Sequence, residues 1–260
     1  MSLIKTPAEI EILKKGGAIL SRALRLAMDA CVVGASTVEI DRIAREYIVS
    51  KGGEPSFLGY RISPEDPAYP STLCISINDE VVHGLAIPER IIKDGDVVSL
   101  DIGAWYQGLC TDMAATVAVG NVQPRNLELI RDTRTSLEKG IAVVKAGTFV
   151  SDIGATVEDF LKPRGYGIVR DLVGHGVGHE VHEEPQIPNF REPRMPKTKM
   201  RTGMVLAIEP MITLGDWRVY QKDDGWTIVT KDHSVAAHWE VTVAVTETGY
   251  ELITPWPDES

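Results

Sequence analysis

Gly174-His175-Gly176-Val177-Gly178-His179-Glu180-Val181-His182-Glu183-Glu184-Pro185 places three imidazoles and three carboxylates in one short stretch. Its glycines let neighbouring backbone approach closely. Histidine is the commonest metal ligand, and its neutral form needs a partner that fixes which ring nitrogen carries the proton. The chain has six histidines in all, so half of them lie here. A histidine-rich surface loop needs no function, however, and the decision rests on whether other segments supply matching donors.

The totals narrow the field. With 260 residues, 43% hydrophobic and 25% charged, the chain can bury a full core as a soluble globular protein. A net charge of −10 and the lack of any basic run argue against a nucleic-acid-binding surface. No apolar stretch is long enough to span a membrane, and the first residues lack the apolar core of a signal peptide. Cys31, Cys74 and Cys110 are odd in number and far apart, which disfavours a disulfide scaffold or zinc finger and points to a reducing cytoplasm.

Outward from the histidine stretch, the chain reads twice. Thr6-Pro7-Ala8-Glu9 is a capping box that opens a long amphipathic helix through Leu13, Leu20, Leu24 and Ala27. Ser36-Thr37-Val38-Glu39 caps a second helix, which Gly52-Gly53 stops. A proline- and aromatic-rich loop covers residues 57–70, and Leu73-Cys74-Ile75-Ser76-Ile77 alternates like a strand. Residues 96–104 and 109–119 read as a hairpin turning at Tyr106-Gln107-Gly108. If the turn centres on Tyr106 and Gln107, Asp101 and Asp112 stand directly opposite, with Cβ atoms about 5 Å apart. Two carboxylates so placed repel unless a proton or a cation lies between them.

The pattern then repeats. Helices are expected over 127–145 and 152–161, the latter stopped by Pro163 and Gly165. Gly34 to Gly52 matches Gly147 to Gly165, and the run ending at Asp101 parallels the run ending at Glu209. Asp112, before Thr116-Val117-Ala118-Val119, parallels Glu240, before Val241-Thr242-Val243-Ala244-Val245, and His83-Gly84 parallels His175-Gly176. Asp223-Asp224-Gly225, between Glu209 and Glu240, is a second hairpin signal. One domain, 1–260, is expected, built from two pseudo-symmetric halves of about 1–120 and 121–260 whose acid pairs meet at the seam.

Asp101, Asp112, His175, Glu209 and Glu240 make one imidazole and four carboxylates. Hard oxygens with one nitrogen suit Mn²⁺, Fe²⁺, Co²⁺ or Zn²⁺. Four carboxylates exceed what one ion needs, whereas two ions roughly 3.5–4 Å apart, sharing bridging carboxylates, use them all. Such a pair turns water into a nucleophile at neutral pH and polarises a carbonyl. Asp101 and Glu209 end apolar strand-like runs, where an unpaired charge would be costly. His83 and His182, as neutral imidazoles beside such a centre, could hydrogen-bond a scissile amide and its developing oxyanion. His179, His233 and His238 lack that symmetry and read as outer or surface residues.

Together these motifs resemble the type I methionine aminopeptidases of peptidase family M24. The likeness runs from Cys74-Ile75-Ser76-Ile77-Asn78 and His83-Gly84, through Asp101 and Asp112, to Gly174-His175-Gly176 and His182-Glu183-Glu184-Pro185. It continues with Ile208-Glu209-Pro210-Met211 and closes with Asp224-Gly225-Trp226-Thr227 and Glu240. The resemblance implies the α+β pita-bread fold, a pseudo-twofold antiparallel sheet backed by helices. It implies removal of the initiator methionine from nascent polypeptide N-termini when the next residue is small. It also implies two divalent ions: Asp101 on one, Asp112 and Glu240 bridging both, His175 and Glu209 on the other, with Glu209 shuttling a proton. His83 would lie near the scissile nitrogen, His182 near the carbonyl, and Tyr60, Tyr69, Cys74 and Trp226 would line the methionine pocket. A cytoplasmic monomer with transient ribosome contact is the implied setting.

Three features depart from the family pattern. Val241 stands where a histidine often follows the last glutamate. Val181 replaces a bulky aromatic before His182, which bears on pocket shape. Residues 61–68 look inserted beside the pocket mouth. The nearest rival is a proline-specific aminopeptidase, which shares the histidine motif but usually carries an extra N-terminal domain. The type II enzymes carry a large insertion between His182 and Glu209, which are close together here. A rival of another class is a metal-free binding protein, which would have no need of all five donors.

Overall fold

The computed structural model describes residues 3–258. Helix α1 (Pro7–Ala30) starts where Thr6 and Glu9 cap one another, the Glu9 amide donating to the Thr6 hydroxyl at 3.3 Å and the Thr6 amide to the Glu9 carboxylate at 2.7 Å. Its buried stripe includes Leu13, Leu20, Leu24 and Ala27, as the periodicity predicts. Helix α2 (Thr37–Ser50) follows, with Ser36 at the N-cap position. Here the expected side-chain cap is not made. Ser36 bridges to Ile91, which brings Glu89 within reach, and the serine hydroxyl donates to that carboxylate instead.

In the first sheet, Val97–Tyr106 pairs along one edge with Leu109–Ala118 and along the other with Leu73–Ile77 and then Glu54–Pro55, all antiparallel. The hairpin register differs from expectation. Tyr106 pairs with Leu109, so the turn is the two-residue Gln107-Gly108, with φ of 50° and 80°. Two successive left-handed residues match the twist of a two-residue hairpin, and they leave Tyr106 in the strand. Asp101 therefore faces Ala114, and Asp112 faces Gly103. The acids are diagonal neighbours on one face rather than directly opposed.

Helices α3 (Pro124–Ala142) and α4 (Val150–Leu161) precede the second sheet as α1 and α2 precede the first. Both start earlier than the sequence pattern predicts, α3 because Pro124 fits its first turn. Gly165, at φ 75°, ends the short 3₁₀ turn after α4. The second sheet runs in the order Tyr250–Leu252, Val241–Val245, Val205–Ile208, Gly174–Gly176, Glu183–Ile187, every neighbour antiparallel. The turn at Gly225 does join a hairpin, Val219–Gln221 with Ile228–Thr230, but it belongs to a separate three-stranded sheet with Glu80–Val82. Glu209 and Glu240 meet without it, one step beyond the Ile208–Val241 pair.

The two main sheets join at a seam. Ala114 and Glu240 exchange two backbone hydrogen bonds, of 3.2 and 2.9 Å. The Thr242 hydroxyl accepts from the Asp112 amide at 3.1 Å and donates to its carbonyl at 2.7 Å. One apolar cluster draws Leu24, Ile40, Leu100 and Met113 together with Leu137, Ile153, Leu206 and Val243, so the core crosses the seam. None of the described helices is long and apolar enough to cross a membrane.

Helix α1 also clamps the last strand region. A Cβ at Gly17 would lie 2.0 Å from the Ile253 carbonyl oxygen. Backbone on both sides leaves little room to relax, so Gly17→Ala should destabilise the fold by at least about 2 kcal/mol, read as a lower denaturant midpoint at unchanged slope.

Candidate metal centre and substrate cleft

The strand ends and loops that carry the predicted residues converge on one cleft. Asp101 and Asp112 enter from the first hairpin, and His175 from the strand Gly174–Gly176. Glu209 and Glu240 stand just beyond paired strand ends. The glycine next to His175 has a steric reason, since a Cβ at Gly176 would lie 2.2 Å from the Glu184 carbonyl oxygen. Ligand atoms of Asp112, His175 and Glu240 lie within 4.8 Å of one another. His175 Nε2 is 3.5 Å from Glu209 Oε1. Asp101 completes the cleft wall beside them.

The electrostatics of this cluster are inverted. Burial, and then repulsion among the acids, pushes the carboxyls of Asp112, Glu209 and Glu240 well above their usual range, while burial raises Asp101 to about 7. Burial lowers His83 to about 4 and His175 to about 3, each further opposed by His182. Protein alone thus favours protonated acids and neutral imidazoles. One oxygen each of Asp101, Asp112 and Glu240 is buried with no hydrogen-bond partner among the described residues. Hard, unpartnered oxygens converging with one neutral imidazole are what a divalent ion would satisfy, and the residues present fit such a group.

An apolar wall adjoins the acids. Tyr69, Cys74 and Trp226 form one buried cluster with Phe57, Tyr60 and Leu85 against it. The Tyr69 and Trp226 rings meet edge-on at 5.2 Å, and the Tyr69 hydroxyl donates to the Gly84 carbonyl at 2.9 Å. Asp224 accepts from the amides of Trp226 and Thr227, which fixes the turn that presents the indole. His83, at φ 58°, lies beside that indole. The His182 ring meets His175 edge-on at 4.4 Å between ring centroids, and its Nδ1 is 2.9 Å from the Tyr60 hydroxyl.

Every predicted site residue lines this cleft. Sequence reasoning missed two neighbours. Phe57 and Ile62 also line it, and Ile62, in the inserted-looking segment, is 68% exposed at the mouth. No periodicity marks such loop residues. His238, expected as an outer or surface residue, takes the outer position: it is buried 3.7 Å from Glu209, two residues before Glu240 on extended chain. His179 instead pairs with Glu9 at 2.8 Å, and His233 is exposed beside Asp79. Val181 does not line the cleft but is buried with Leu13, Leu109 and Cys110 in a cluster against which the cleft residues Phe57 and Tyr60 pack. Val241 is likewise in the core.

The loop bearing His182 is braced from the N-terminus. Glu183 accepts from the amides of His179 and Glu180 and forms a buried ion pair with Lys5. All three cysteines are free and buried.

The sequence profile of metallopeptidase family M24 matches residues 11–247. The chain belongs to this family. Among its M24 relatives, the methionine aminopeptidase of Clostridium perfringens is 42% identical over 255 residues, 98% of this chain and 99% of that one. The crystal structure of methionine aminopeptidase from Thermotoga maritima superposes with a TM-score of 0.91 at 44% identity, covering 96% of this chain and 98% of that one. An Xaa-Pro dipeptidase from Bacillus anthracis is more distant, with a TM-score of 0.76 at 27% identity, and is matched over 62% of its length. The M24 chain described here thus has the pita-bread fold and is a metallo-hydrolase of the methionine aminopeptidase type.

Ion binding must displace protons from the raised acids. With Asp101 at about 7, the group is mostly protonated at pH 6 and mostly ionised at pH 8. Zinc binding should therefore release at least one proton at pH 6, and affinity should rise from pH 6 to 8. Calorimetry in buffers of different ionisation enthalpy measures both.

Proposed function

We propose that two divalent ions held by Asp101, Asp112, His175, Glu209 and Glu240 serve the first peptide bond of an N-terminal methionine, the residue this metallo-aminopeptidase removes. The observation that carries this reading is the meeting of five donors, three with orphaned oxygens, beside an apolar wall in one cleft. Ions at this position supply a nucleophile from water at neutral pH and polarise the scissile carbonyl. Asp112 and Glu240 would be shared by both ions. Asp101 would hold one ion, and His175 and Glu209 the other.

The protein's own groups do the rest. Glu209 takes the proton of the attacking water and passes it to the departing amine. His83, neutral because burial holds it near 4, hydrogen-bonds the scissile nitrogen. With Tyr60 donating to Nδ1 of His182, that ring carries its proton on Nε2 and offers it to the carbonyl oxygen as charge develops. Tyr60, Tyr69, Cys74 and Trp226 accept the unbranched thioether side chain. The substrates are nascent polypeptide N-termini whose next residue is small. Cobalt, manganese, iron and zinc all suit the donor set. The enzyme acts as a cytoplasmic monomer, as one domain of two pseudo-symmetric halves, with transient ribosome contact.

Purified protein supplied with Mn²⁺ or Co²⁺ should cleave Met-Gly-Met and spare Gly-Pro-Gly, and a chelator should abolish cleavage. Cleavage of Gly-Pro-Gly would favour the proline-specific rival. Cleavage of neither peptide would favour a binding module. His182→Ala should keep its metal content by elemental analysis yet lose roughly 10²–10³-fold in kcat, as expected when an oxyanion donor is removed.

A further inference from the structure

His238 belongs to none of the roles above, yet it is one of the most buried polar side chains beside the centre, at 1% exposure. It ends the strand Ala236–His238, which pairs with Met211–Thr213, the segment that follows Glu209. Its backbone is fixed by one side chain: Thr116 Oγ1 accepts from the His238 amide at 2.9 Å and donates to its carbonyl at 2.7 Å. Neither Nδ1 nor Nε2 has a hydrogen-bond partner among the described residues. Nε2 lies 3.7 Å from Glu209 Oε2 and 4.0 Å from Glu240 Oε2. The other Glu209 oxygen faces His175 Nε2 at 3.5 Å. Two imidazoles thus bracket the Glu209 carboxylate, one assigned as a ligand and one unassigned.

A buried imidazole with both nitrogens unpartnered is unfavourable, and a movement of Glu209 by less than an ångström would form a hydrogen bond. Ligating carboxylates are commonly oriented by donors outside the ligand set, and loss of such a donor weakens metal binding. We propose that His238 is a positioning residue, whose Nε2–H donates to Glu209 Oε2 and holds that carboxylate toward the ion shared with His175. This rests on the assignment of the five donors as a metal centre. A histidine serving only to fill the core would influence folding and leave the ions untouched. A histidine coordinating an ion directly would carry no proton on Nε2.

His238→Leu and His238→Gln, with the unaltered protein, separate these cases when Zn²⁺ affinity is measured by competition with a chromophoric chelator. His238→Leu should weaken zinc binding by about tenfold or more. His238→Gln keeps an N–H donor at similar reach and should stay within about threefold of the unaltered protein. Equal affinity for all three proteins overturns the positioning role while leaving the metal centre intact. Failure of the unaltered protein to bind zinc overturns the metal centre, and this inference with it. Should His238→Leu not fold, ¹⁵N resonances of the zinc-loaded protein decide, with the His238 signals assigned by their loss in His238→Gln. A protonated Nε2 supports the proposal, and an unprotonated Nε2 overturns it.

Discussion

Four carboxyl groups buried together in one cleft cannot all ionise unless something positive joins them. Each added negative charge is opposed by desolvation and by its neighbours, because attraction and repulsion both grow as water is excluded. Two remedies exist, protons or cations. In protein alone the acids of Asp112, Glu209 and Glu240 hold on to protons well past their usual range. A divalent metal reverses that preference and gives the unpartnered oxygens their missing neighbours. The fold supplies what this requires, a rigid frame that keeps the acids close when they would rather separate.

That frame is the seam between two antiparallel sheets. Ala114 and Glu240 are tied backbone to backbone, and Thr242 holds both polar groups of the Asp112 peptide. A core common to both halves backs the joint. Each acid therefore sits on or beside a paired strand rather than on a free loop, and such placement limits its drift. The aromatic wall is built differently. The Tyr69 hydroxyl is held at the Leu73 and Gly84 carbonyls, and Trp226 is presented by the turn whose amides Asp224 accepts.

Much of this was legible in the residues because burial leaves a pattern. Asp101 and Glu209 stand out as charges at the ends of apolar runs, and the capping box at Thr6 fixes the start of α1 by local chemistry alone. The hairpin register was not legible, since Gln107 adopts a left-handed backbone that its side chain does not advertise. A one-residue error there turned a diagonal pair of acids into an opposed one. The Ser36 cap failed for a similar reason: its competing partner, Glu89, is distant in sequence. Pocket residues such as Tyr60 and Tyr69 carry no periodicity, and only likeness to a known family picked them out. Ile62 had neither cue.

Lys5 lies 178 residues from Glu183 along the chain, yet its ammonium is sealed against that carboxylate, which in turn gathers the amides of the loop carrying His182. Glu9, in the first turn of α1, grips His179 of the same loop. Lys5 and Glu9 are in effect a buckle on the loop that carries His182. Mechanical or chemical disturbance at the amino end, such as a bulky fusion partner, would be felt at a site that a linear map of the chain places nearly two hundred residues away.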